Sequence, residues 1–181
     1  MESLKGTLLI AGPSLVDPNF HRTVVLVAEH GPEGAMGLVL NRPSALVVSD
    51  AVPHLADLVP DDDPVGFGGP VDGGAVVAIG DFEQPGEAAA LIIGPVGFLP
   101  AEADAALLAE AVRRTRVYAG YAGWGSGQLE TELEEDSWIV EPALPDDIFY
   151  TEGVDLWSRV LRRKGGRFRL LATMPVDPSL N

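Results

Sequence analysis

The chain is predicted to fold as an α+β protein built on a mixed β-sheet. Short apolar, partly β-branched runs are punctuated by Gly-Pro and His-Gly-Pro steps, one stretch is alanine-rich and helical, and no regular βαβ repeat orders them. At 181 residues the sequence suffices for one core and is short for two ordinary domains. It is therefore read as a single domain over 1–181, with 174–181 as an extended tail.

Residues 6–11 (GTLLIA) and 23–29 (TVVLVAE) read as strands, and 36–40 (MGLVL) as a third that ends before Pro43. HGPEGAMG joins the second and third as a hairpin. Val48, Val52, Leu55 and Val59 suggest a short helix within 45–58, broken near Pro53, with Ser49 or Asp50 as cap. PDDDP at 60–64 lacks the spacing of a calcium loop and reads as a solvated surface turn. Strands are expected at 75–80 and 89–94.

The strongest helical signal is PAEADAALLAEAVRR, with Pro100 in the first turn and Arg113 and Arg114 near the negative end of the dipole. Residues 115–122 alternate as a strand. A helix capped by Ser126 should follow, burying Leu129 and Leu133. SWIVEP is a strand ended by Pro142, and PDDIFY a helical turn. VDLWSRVLRRK places Leu156, Trp157, Val160 and Leu161 on one helical face, closed by Gly165-Gly166. RFRLLATM reads as an edge strand.

Composition narrows the function. No apolar run is long enough to span a membrane as a helix, and MESLKGTLLIAG reads as a strand rather than a signal peptide, so a cytoplasmic location is expected. Without cysteine there is no thiol nucleophile or disulfide framework. The net charge of −15 weighs against direct binding to a phosphate backbone. Half of the 12 basic residues nevertheless lie between Arg159 and Arg169, where they read as helix-end cations facing the acidic surface.

The stretch GYAGWGSGQLETELEEDSW (120–138) invites a phosphate-loop reading and fails each template. It has no lysine after Gly125, no third glycine at the dinucleotide position, and Trp124 stands where a nucleophile elbow needs glycine. His21, His30 and His54 form no metal-ligand pair by spacing, and no metal or cofactor is expected. A Ser–His–Asp triad would have to be assembled by the fold, and no local signature supports one.

GTLLIAGPSLVDPNFHRTVVLVAEHGPEGAMGLVLNRPS (6–44), GFGGPV (66–71), the 120–138 stretch and the closing DPSLN occur in the order found in the YqgE/AlgH family, which the whole chain resembles. The resemblance implies a mixed sheet curled into a pseudo-barrel with flanking helices. It implies no established catalytic residues; some members carry the label of transcriptional regulator through a link to alginate production. The sequence departs from the family pattern at Ser126, where members often have Pro, and over 95–99 (PVGFL). Candidate ligand-binding residues within the family-like blocks are His21, Arg22, Asn41, Arg42, Gly68, Gly69, Trp124 and Gln128. The expected function is a non-enzymatic binding or regulatory module acting through protein partners. The alternative is a binder or enzyme for a small anionic ligand, in which Arg22 and Arg42 meet a carboxylate or phosphate. Direct DNA binding ranks third.

Overall fold

Strand β9, Val112–Gly125, is the spine of the sheet: it is hydrogen-bonded to three other strands. In the computed structural model, which describes residues 2–150 and 154–176, a ten-stranded sheet runs in the order β10-β1-β2-β3-β9-β6-β8-β7. The strands are β1 (Thr7–Ala11), β2 (Val24–Gly31), β3 (Gly34–Val39), β6 (Val71–Phe82), β7 (Ala90–Ile93), β8 (Val96–Phe98) and β10 (Trp138–Pro142). Off this path, β4 (Pro43–Val47) pairs with β5 (Pro64–Phe67), and β5 lies parallel to β9. That parallel pair makes an otherwise antiparallel sheet mixed.

The sheet curls without closing. Leu8 and Ile10 of β1 share one buried core with Ile92 of β7 at the far end of the strand order. Trp157, Val160 and Leu161 of helix α5 (Leu156–Lys164) fill the same interior. Each fully buried aliphatic side chain there contributes about 1.5–3 kcal/mol of transfer free energy. Outside, α3 (Gln128–Glu134) covers Val25, Val27 and Val39 on one half of the sheet. The other half is covered by α1 (Val48–Ala51), a 3₁₀ turn (Pro53–Leu58) and α2 (Ala105–Ala111). Pro145–Ile148 (α4) and Phe168–Leu171 (α6) are single turns flanking α5. No helix among the described residues is long and apolar enough to cross a membrane.

A single backbone feature decides which side chains of β9 face in. Val117 belongs to the outer cluster and Tyr118 to the interior, but beyond Gly120 the parity reverses. Tyr121 packs on the interior, while Ala122 and Trp124 face the outer cluster under α3. Gly120 has φ +71°, a left-handed conformation that glycine adopts without a Cβ penalty. One bulge thus lets a continuous strand serve both faces.

Several expected elements are corrected. The helix expected from Pro100 spans only Ala105–Ala111, capped by Asp104, and Arg113 and Arg114 already belong to β9. Both guanidinium groups bind buried Asp81 at 2.8 Å, so ladder pairing and an ion triad override helix propensity. Residues 43–47 are strand rather than helix, although the break at Pro53 is present. PVGFL contains β8. In PDDDP, Asp61 and Asp62 are exposed, but Asp63 is buried against Arg116. The edge strand expected at RFRLLATM is the helical turn α6, whose Phe168 and Leu171 pack on the interior core. Ser126 is not the cap of α3: Gly127, at φ +73°, holds that position, and the Ser126 hydroxyl donates to the Pro32 carbonyl at 2.6 Å.

Burial alone would raise the Asp81 carboxyl, but hydrogen bonds and charge from Arg113 and Arg114 hold it below the usual carboxylate value of 3.8. Its ionised form therefore stabilises the fold above that value, and the contribution is lost as pH falls toward the depressed folded-state value. Urea denaturation across the acidic range should show the wild type losing more stability on acidification than Asp81→Asn. Equal acid slopes would remove this triad from the account.

Candidate functional site

The eight candidate residues fall into three separate places. At the first, the start of β2 lies beside the end of β3. Asn41 accepts from the Val24 amide and donates to the Arg22 carbonyl, both at 2.9 Å. This holds Arg22 at φ +54°, a conformation unusual for a residue with a side chain. The Arg22 guanidinium lies 4.1 Å from the centre of the Trp157 ring, meets Asp155 at 3.2 Å and donates to the Met174 carbonyl at 2.8 Å. Arg42 donates to the carbonyl of His21, whose own side chain is exposed. The two arginines thus meet at neighbouring residues: Arg22 is held by this chain's own acceptors, and Arg42 donates once, to the His21 carbonyl.

Gly68 and Gly69 lie where the chain leaves β5 and crosses β9. A Cβ on Gly69, at φ +153°, would fall within the backbone of Tyr121 and Ala122, and one on Gly68 would meet the Gly120 carbonyl. Close backbone approach is reason enough for both glycines.

Trp124 and Gln128 lie on the outer face, across the sheet from Arg22 and Trp157. Trp124 is only 6% exposed, contrary to the exposed side chain its glycine-rich setting suggests. The indole N–H groups of Trp124 and Trp138 both donate to Glu132 Oε2, at 2.9 and 2.8 Å. Gln128 donates to Glu132 Oε1 at 2.9 Å and accepts from the Gly125 amide at 3.0 Å. Phe20 completes an aromatic cluster, with ring centres 5.7 Å from Trp138 and 6.5 Å from Trp124. The signature stretch is thus a clasp, with one carboxylate tying α3 to two strands.

A fourth place was not foreseen. A cavity of about 510 Å³ opens between the start of β4, β5, β9 and the entry to α5, lined by Asn41, Ser44, Gly66, Arg116, Tyr118, Tyr150 and Asp155 among others. Of the eight candidates, Asn41 alone lines it. Arg116 donates to Asp63 at 2.9 Å and to the Tyr150 carbonyl at 2.5 Å. The Tyr150 hydroxyl donates to the Leu40 carbonyl at 2.9 Å. Asp155 caps α5 through the Ser158 amide and hydroxyl. Burial works against its ionisation, yet those bonds and Arg22 hold its carboxyl below the ordinary range. The sequence signal for this site is the pair Arg116 and Tyr118 in β9, two polar-ended side chains two residues apart on one face of a strand.

The basic segment is largely structural. Arg159 and Arg163 meet on the buried Asp147 carboxylate, and Arg163 and Lys164 approach Glu141. Lys164 and Arg163 also donate to the Val140 and Pro142 carbonyls along end strand β10. Arg162, Arg167 and Arg169 are exposed. Among the described residues, no group of three or more His, Asp or Glu side chains is placed to hold a metal ion.

Glu132→Ala would leave two largely buried indole N–H groups without their acceptor, at a cost of about 3 kcal/mol. Urea denaturation followed by tryptophan fluorescence should show that loss; an unchanged midpoint would mean the clasp contributes nothing to the fold.

Comparison with known proteins matches the sequence and the fold to one family. A sequence model described as AlgH-like matches residues 8–169. The chain is 46% identical over 187 residues to a UPF0301 protein of Streptomyces coelicolor, covering 100% of this chain and 97% of that one. A UPF0301 protein of Mycobacterium tuberculosis is 41% identical, covering 97% and 90%. Among solved structures, a Corynebacterium diphtheriae protein superposes with a TM-score of 0.89 at 31% identity, covering 96% of this chain and 94% of that one. The AlgH protein of Pseudomonas aeruginosa gives 0.73 at 31% identity, covering 96% and 95%. The chain belongs to the AlgH-like family.

Proposed function

We propose that this protein is a non-enzymatic, cytoplasmic binding module that takes a small ligand in the cavity beneath β4 and β5 and acts through protein partners. The observation that carries the reading is the cavity itself. Its volume of about 510 Å³ falls within the range of small-molecule sites, and its lining mixes apolar walls with a few polar groups. Asp155 links it to the rest of the molecule. The same carboxylate lines the cavity, caps α5 and pairs with Arg22, which in turn binds the Met174 carbonyl. A ligand that hydrogen-bonds Asp155 would compete with its bonds to Ser158 and Arg22 and so alter the C-terminal helices and the surface offered to a partner.

The anionic-ligand alternative is weakened, because Arg22 is held by Asp155 and the Met174 carbonyl and neither Arg22 nor Arg42 lines the cavity. Direct DNA contact is opposed by the net charge of −15 and by the internal pairing of Arg159, Arg163 and Lys164.

A thermal-shift screen of neutral and charged metabolites on wild type and Ser44→Phe tests the reading. Ligand at about a hundred times its dissociation constant adds roughly 2.7 kcal/mol, enough to raise the Tm by several degrees. At least one compound should stabilise the wild type and lose that effect when Phe fills the cavity mouth. Stabilisation by no compound, or by the same compounds in Ser44→Phe, would overturn it.

A further inference from the structure

Resting on the cavity as the ligand site, we infer that it selects an uncharged amide- or lactam-type group, whose carbonyl accepts from the Tyr118 hydroxyl and Arg116 and whose N–H donates to Asp155. Tyr118 is 2% exposed and lines the cavity, and no group among the described residues accepts from its hydroxyl. The hydroxyl opens on the cavity, where a ligand acceptor can take the place of water. The ring is held in place by Gly66, where even a Cβ would come within 2.6 Å of it. Burial raises the phenol far above its ordinary value, so it remains a protonated donor throughout the neutral range.

Charge decides between an amide and an anion. The Arg116 side chain is 19% exposed and its partner Asp63 only 9%, so the cation is neutralised 2.9 Å away inside the wall. Arg116 still has N–H groups beyond those that bind Asp63 and Tyr150, and it offers them as dipoles rather than as uncompensated charge. An entering carboxylate would face Asp155, and among the described lining residues the one cation, Arg116, is already paired with Asp63 and offers little to offset its desolvation. An ammonium group would find Tyr118 and Arg116 presenting donors. An amide satisfies both ends, with its acceptor toward Tyr118 and its donor toward Asp155, whose side chain is 52% exposed.

Benzamide, benzoate and benzylamine are shape-matched probes that differ in charge. Their binding at millimolar concentration is read by ¹H–¹⁵N NMR titration of wild type, Tyr118→Phe and Ser44→Phe. Benzamide should bind the wild type most tightly and shift the Gly66 and Tyr118 amides. Tyr118→Phe, with an unchanged thermal midpoint, should weaken benzamide about tenfold, the equivalent of one hydrogen bond. Tighter binding of benzoate or benzylamine than of benzamide would overturn the inference, as would equal affinity in Tyr118→Phe. If no probe binds, the amide preference falls. The cavity reading then stands or fails separately, on whether Ser44→Phe abolishes stabilisation by the compound found in the screen.

Discussion

The molecule depends on one long strand that changes face at a single residue. Residues Val112–Gly125 pair with β3, β5 and β6, so the two halves of the sheet are one hydrogen-bonded unit through them. Gly120 reverses the side-chain alternation midway. Before it, Arg116 and Tyr118 point toward the cavity; after it, Trp124 points under α3. A side chain at 120 would disfavour this left-handed backbone and would approach the Gly69 carbonyl at 2.6 Å. The close packing of Gly68 and Gly69 against the same segment is a second consequence of that crossing.

Around this spine, the charged groups are organised inward and not toward a ligand. Asp81 holds Arg113 and Arg114 together, Asp147 holds Arg159 and Arg163, and Glu132 joins two tryptophans. Such buried pairs are costly to break from one side. Lys164 and Arg163 also occupy carbonyls of β10, which ends the strand order. Covering a free edge with cationic side chains guards it against pairing with another chain. In a protein with so few basic residues, this internal use removes most of the cations from which an anion site would be built.

Much of the fold was legible in the sequence where one local signal acted alone. The β1, β2 and β3 runs are apolar and bounded by turn residues, and α5 carries a clean apolar face closed by Gly165-Gly166. Failures came where tertiary pairing overrode local preference. The alanine-rich stretch stops being helical at Val112 because Asp81, 32 residues before Arg113, draws Arg113 and Arg114 into the ladder. Phe168 and Leu171 alternate poorly as a strand and pack as one helical turn. Among the site residues, Asn41 was visible because it stands at a strand end, beside Arg22 and Arg42. Tyr118 and Arg116 were hidden in a run assigned only as a strand, since their significance depends on Asp63 and Tyr150, distant in sequence. Trp124 and Gln128 were conspicuous for composition, and that composition builds the clasp.

The two sides of β9 thus differ: the signature stretch ties α3 to the sheet, and the inward face of the same strand lines the cavity. The most direct measurement is NMR chemical-shift mapping of a stabilising ligand onto the assigned wild-type protein. The account predicts that the largest shifts centre on Asn41, Ser44, Gly66, Tyr118 and Tyr150, with Trp124, Gln128 and Glu132 little changed. Shifts centred on the Trp124–Glu132 clasp would contradict it and would return the glycine-rich stretch to the role of a binding loop.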